Sequence, residues 1–204
     1  MIARLSRPLV AIAALLFAGV LPVACTSLRA HRADAPATAV MPAATPSGVE
    51  LRRPQPTLYT AGQPAAGDWS AIAQGGVGTV INLRTSGEMK DRDERAEVEA
   101  AGMRYVALPI AGHEGVTEDN AKTLVDLIAN AHGPVLVHCA SGNRAGGLLA
   151  LALAAQGMPA AALETGRAAG MTSTETQVKQ VLDAEARAVC ATEGRDAARC
   201  GTGG

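Results

Sequence analysis

Pro134-Val135-Leu136-Val137-His138-Cys139-Ala140-Ser141-Gly142-Asn143-Arg144-Ala145-Gly146-Gly147 is the stretch that decides the reading of this chain. Val135 to His138 follow a Gly-Pro pair and read as a short strand buried on both faces. Small residues follow Cys139, and from Arg144 to Gln156 the chain is almost wholly apolar, which predicts a helix buried all round. In a strand, small-residue loop and helix start, several backbone N–H groups can converge on one anion, and the helix terminus adds partial positive charge. Cysteines held in such a field are favoured as thiolates. Gly142 lets the backbone curl without a Cβ clash. Arg144 offers a planar fork to two oxygens of a tetrahedral anion. The plainer alternative is a buried cysteine that only packs at a strand end. His138, the loop glycine and the arginine at the helix start argue against it.

Working outward, Thr79-Val80-Ile81-Asn82-Leu83 and Tyr105-Val106-Ala107-Leu108 are similar short runs, and Leu58-Tyr59-Thr60 reads as an edge strand. Helical segments separate them. Asp68 can cap a helix to about Gln74, stopped by Gly75-Gly76. A charged helix from Glu88 to Ala101 ends at Gly102. Thr117 can cap a helix with Leu124, Leu127 and Ile128 on one face. Two more are expected near residues 160–169 and 174–188. This alternation predicts a three-layer α/β domain, with helices flanking a mostly parallel central sheet of four to five strands.

The chain has 204 residues, 48% of them hydrophobic but only 2% aromatic, so its core must be built from Ala, Val, Leu and Ile. A formal charge of −1 gives no basic face for nucleic acid. Residues 1–25 read as an export signal: Arg4 and Arg7 precede an apolar run from Leu9 to Leu21 that is short for a membrane span. It ends in Leu21-Pro22-Val23-Ala24-Cys25, similar to a lipoprotein signal in which Cys25 would be lipidated, except that Pro22 stands where Leu is usual. The expectation is an exported protein, either periplasmic or held at the membrane by that one lipid anchor. Residues 26–56, rich in Ala, Pro, Thr and Arg, read as a flexible tether. The folded domain is expected over 57–189 and a tail over 190–204. In an oxidising compartment Cys190 and Cys200 can pair.

The loop from His138 to Arg144 resembles that of the Cys-dependent tyrosine and dual-specificity phosphatases, which follow His-Cys-x-x-Gly-x-x-Arg. Tyr59-Thr60-Ala61-Gly62-Gln63-Pro64, and Thr79-Val80-Ile81-Asn82-Leu83-Arg84 with Glu88 after it, narrow the likeness. Together they resemble the bacterial phosphatase-like domain of β-lactamase-hydrolase-like proteins, over about residues 57–181. The resemblance implies that Cys139 attacks phosphorus, forming a phosphocysteine that water then hydrolyses. Arg144 would bind the equatorial oxygens, His138 would orient the loop, and N–H groups of Ala140, Ser141, Gly142, Asn143 and Arg144 would line the cradle. It implies a phosphorylated small molecule or phosphoprotein as substrate, phosphotyrosine among them, and no metal or organic cofactor.

Two departures accompany it. Four residues separate Cys139 from Arg144 where such phosphatases have five; rhodanese sulfurtransferases have a loop of this shorter length and hold a persulfide there. That leaves a sulfurtransferase, or a non-catalytic anion-binding lipoprotein, as alternatives. The Asp that protonates the leaving oxygen is also missing. His113, Glu114, Glu118 and Asp119 can donate a proton; Glu118 and Asp119 read as first-turn helix residues, which favours His113 and Glu114. Arg84 and Glu88 form either a substrate-side ion pair or a structural one. Gln63 lines the site or fixes a turn, Trp69 packs its helix, and His132 is an exposed helix end.

Overall fold

The computed structural model describes residues 41–192. Its sheet has five strands in the order β1-β2-β5-β3-β4: β1 is Leu51–Gln55, β2 Leu58–Ala61, β3 Thr79–Asn82, β4 Arg104–Ala107 and β5 Val135–His138. All neighbours are parallel except β1, which runs antiparallel to β2. Six helices complete it: α1 Trp69–Gln74, α2 Glu94–Ala100, α3 Glu118–Ala129, α4 Asn143–Ala155, α5 Pro159–Ala168 and α6 Glu175–Thr192. The three-layer α/β expectation holds.

Side-chain alternation along the strands builds the two outer layers. Leu58, Ile81, Val135 and Val137 point to one face and pack with Leu124 of α3, Leu148 and Leu151 of α4, Ala162 of α5 and Val178 of α6. Tyr59, Ala61, Val80 and Leu136 point to the other and meet Trp69 and Ile72 of α1 and Val98 of α2. Every residue of β2, β3 and β5 is buried, the pattern of strands covered on both faces. The α4 helix touches α5 so closely that a Cβ on Gly146 would lie 2.3 Å from Met171 N and 2.5 Å from Gly166 O.

Several expectations are corrected. The tether does not reach residue 56, because β1 is already in the sheet with Leu51 buried. Pro54 sits where the β1–β2 register slips, between Arg52 and Gln55; on an edge strand a missing N–H is tolerated, so a proline-rich stretch still pairs. With β1 outside it, β2 is interior rather than an edge. The charged helix begins at Glu94, not Glu88. The Asp93 side chain accepts from Ala96 N–H at its start, and Ser86–Glu88 is a separate 3₁₀ turn. Asp68 does not cap α1: its carboxylate takes the Ala65 N–H and both the N–H and hydroxyl of Ser47. The last helix runs to Thr192 and buries Cys190, so the tail starts later than residue 190. The lipidation expected at Cys25 and the pairing of Cys190 with Cys200 fall on Cys25 and Cys200, outside the described residues.

Candidate active site

The C-terminal ends of β2, β3 and β5 converge, with Ala61, Asn82 and His138 in register across the three strands. Alternation turns Asn82 and His138 towards the α2 layer, and the next residue after β5, Cys139, packs with the opposite layer. Cys139 is 1% exposed. The loop then makes its turn at Gly142, whose φ of +87° is the left-handed conformation that glycine adopts freely. Gly142 N–H donates to Cys139 Sγ at 3.1 Å. Gln63 N–H donates to Ala140 O at 3.1 Å. Because N–H and C=O of a trans peptide point opposite ways, the Ser141 N–H is turned away from Gln63. Gly62 permits this approach, since a Cβ there would lie 3.3 Å from Ala140 O.

Arg144 opens α4 and is 8% exposed. Its Nη1 donates to Glu88 Oε2 at 2.9 Å and Ile110 O at 2.7 Å, and Nη2 donates to Glu88 Oε1 at 2.7 Å. Among the described residues these bonds take three of its five guanidinium N–H groups. Those left are Nε–H and one Nη2–H, which share one edge of the plane. That edge is the fork an oxyanion needs. Hydrogen bonding to Glu88 holds the guanidinium above its usual range against its burial, and Cys139 acts in the same direction. The Arg144 bond in turn pulls the Glu88 carboxyl down to about 2, burial opposing and the Thr85 N–H assisting. Glu88 therefore serves Arg144 first. Arg84 reaches Glu88 only at 3.6 Å from Nε, while its Nη2 donates to Glu88 O.

His138 is fully buried, and its Nε2 lies 2.9 Å from Glu94 Oε1. Its ring stands 5.9 Å from that of Trp69, tilted by 58°, and Trp69 Nε1 donates to Glu97 Oε2 at 2.9 Å. Glu94 is 2% exposed and also accepts from Asn82 Nδ2 at 2.7 Å and from Gln63 Nε2. Burial works against its ionisation, yet the bonds from His138 and Gln63, with Arg92 nearby, keep the carboxyl below its usual range. The sequence reading passed over Glu94 because one acidic residue in a charged helix looks solvated.

The Asn143 side chain ties the loop down: its Oδ1 accepts from Thr172 N, Thr174 N and Thr174 Oγ1, and its Nδ2 donates to Ser173. Ala140 and Ser141 are exposed. Ile110 O bonds Arg144 and Val116 would touch a Cβ on Gly147 at 3.0 Å, so the turn between them lies beside the start of α4. That turn carries His113 and Glu114, 63% and 73% exposed and 3.4 Å apart. Glu118 and Asp119 occupy the first turn of α3, where Thr117 Oγ1 accepts from Asn120 N–H. His132 is exposed just past the end of α3. Among the described residues no group of three or more His, Cys, Asp or Glu is placed to hold a metal ion.

A buried cysteine, a left-handed glycine and a half-free arginine at a strand-to-helix turn coincide with a family match. The model of the β-lactamase hydrolase-like protein phosphatase-like domain matches residues 50–156, which span β1 to α4. The chain belongs to this family. Members of the curated set include the β-lactamase hydrolase-like protein of Agrobacterium fabrum, 35% identical over 92 residues, which are 43% of this chain and 21% of that one. The dual specificity protein phosphatase TpbA of Pseudomonas aeruginosa is 33% identical over 127 residues, 60% of this chain and 54% of its own length. The chain thus spans about a fifth to a half of these curated relatives. Among solved structures, a candidate phosphatase of Neisseria meningitidis superposes with a TM-score of 0.56 at 25% identity, covering 64% of this chain and 96% of that one. The matched domain takes in β1, a strand before Tyr59 of β2 and the Gly62 that follows it.

Proposed function

We propose that this phosphatase-like domain is a cysteine-dependent phosphomonoesterase acting at Cys139. The observation that carries it is the pairing of the Cys139 sulfur, held by the Gly142 N–H, with an Arg144 whose Nε–Nη2 edge is left open by its other bonds. Sγ forms a bond to phosphorus as the bond to the leaving oxygen breaks, and that oxygen takes a proton from the turn carrying His113 and Glu114. Water then attacks phosphorus, returning a proton to the same turn, as the S–P bond breaks and the sulfur leaves as thiolate. Arg144 and the loop N–H groups hold the equatorial oxygens throughout. TpbA has been crystallised in complex with pTyr, which makes phosphotyrosine the first substrate to try. Export by residues 1–25 would place the reaction outside the cytoplasm.

An aryl phosphate should be turned over by the purified protein, vanadate should inhibit it, and Cys139→Ser should abolish turnover. Activity that survives Cys139→Ser sinks the proposal. The four-residue spacing from Cys139 to Arg144 supports one second reading, sulfur transfer through a Cys139 persulfide. Thiosulfate should then add one sulfur to the mass of the Cys139 peptide, and an unchanged mass removes that reading.

A further inference from the structure

Behind the cysteine loop the hydrogen bonds form one connected path. It starts at His138, whose Nε2 meets Glu94 Oε1 at 2.9 Å. Gln63 Nε2 donates to the other oxygen, Glu94 Oε2. Gln63 Oε1 accepts from Arg84 Nη1 at 2.6 Å, Arg84 Nη2 donates to Glu88 O, and Glu88 grips Arg144. Asn82 runs alongside: its Nδ2 donates to Glu94 and its Oδ1 accepts from the Arg84 N–H. The path begins on the residue before Cys139 and ends on the arginine that closes the loop. At its middle Gln63 also holds the loop itself, through Ala140 O.

We propose that Glu94 and Gln63 are positioning residues for the reaction at Cys139, fixing His138 and Arg144 relative to one another without touching substrate. This rests on the phosphomonoesterase reading. Two features point to a role beyond holding the fold. Burying an ionised carboxylate and its partners contributes little net stability, and an apolar set of similar shape would serve a core at least as well. Among the described residues His138 Nδ1 is buried without a hydrogen-bond partner, a cost that a cluster kept only for stability would shed. A path that ends on both flanks of the loop, by contrast, sets the geometry of the nucleophile and of the anion fork together, where small displacements are felt strongly.

The test uses the full chain with Glu94→Gln, Gln63→Ala and the double variant. Glu94→Gln keeps the volume but turns one acceptor into a donor; Gln63→Ala cuts the path at a half-buried turn and keeps the protein foldable if the first does not. Each single change should lower kcat on an aryl phosphate by roughly ten- to a hundredfold, with a much smaller change in KM. The double variant should be no worse than the poorer single, because a path cut twice is cut once. Unchanged kcat in both singles, or effects that multiply in the double, overturns the inference. A second readout does not need turnover. The rate at which iodoacetate alkylates Cys139, divided by that for neutral iodoacetamide, reports how well the loop and Arg144 gather an anion. The ratio should fall severalfold in both variants, and an unchanged ratio overturns the inference. If the unaltered protein fails to turn over the ester, the phosphatase reading fails, and the alkylation ratio alone decides the positioning claim.

Discussion

Arg144 and Glu88 face each other in a two-pronged ion pair, Nη1 to Oε2 at 2.9 Å and Nη2 to Oε1 at 2.7 Å. The pair fixes the guanidinium plane and so decides which edge remains for an oxyanion. Glu88→Gln keeps the shape but can accept on one prong only, which frees the plane to swing. We expect kcat/KM on an aryl phosphate to fall by roughly ten- to a hundredfold, with Glu88→Asp intermediate because the charge is retained. Steady-state kinetics of the two variants decide it. Wild-type values for Glu88→Gln would show that Arg144 is positioned by its backbone carbonyl partners, Ile110 O and Leu83 O, alone.

The same pair predicts a pH dependence of stability. In the folded protein the Arg144 bond holds the Glu88 carboxyl at about 2, against an ordinary value of 4.5. A carboxyl depressed on folding contributes its full stability above the unfolded value and loses it as pH falls through the folded one. The contribution should therefore be complete above about pH 4.5 and fade towards pH 2. Urea unfolding of the wild type and of Glu88→Gln should differ most at pH 6, and the difference should shrink steadily below pH 4.5 towards pH 2. Glu175, also held near 2 by Arg167, titrates in the same window but is present in both proteins, so the difference isolates Glu88. A gap between the two that stays constant with pH rules out this linkage.

Gly142 combines a φ of +87° with a tight setting, a Cβ there lying 3.4 Å from both Ala61 O and Arg52 Nη1. Gly142→Ala should cost about 1–2 kcal/mol for the left-handed backbone. Relief of that strain would swing the Gly142 N–H away from Cys139 Sγ. Turnover well below the melting temperature should then drop further than the loss of folded protein accounts for. A variant with a lowered melting point but full activity per folded molecule would separate the glycine from the chemistry.

Much of this was legible in the residues. Val135 to His138 had to be a strand because four buried positions in a row fit a parallel sheet, and Cys139 to Arg144 carried their own chemistry in their order. What escaped reading depends on contacts between segments far apart in the chain. Glu94 sits 44 positions from His138 and Glu88 56 from Arg144. Spacing along a chain says nothing about pairs that only the sheet order brings together. The expected pairing of Arg84 with Glu88, four residues apart, is present at 3.6 Å, but the distant Arg144 takes the same carboxylate with two shorter bonds. Likewise β1 hid behind Pro54, since the tolerance of an edge strand for proline depends on its neighbours rather than on its own composition.

The acid is the last assignment to test. His113 and Glu114 share an exposed turn whose flanks lie beside Arg144 and Gly147, and we propose that one of them protonates the leaving oxygen. A proton donor matters in proportion to how poor the leaving group is. Replacing the true acid with Ala should therefore barely affect a nitrophenyl phosphate, whose phenolate departs unaided, yet slow an alkyl phosphate by roughly 100- to 10,000-fold. Comparing His113→Ala and Glu114→Ala on the two esters identifies the donor by that contrast. If both variants keep wild-type rates on the alkyl ester, the turn supplies no proton and the leaving oxygen draws it from solvent.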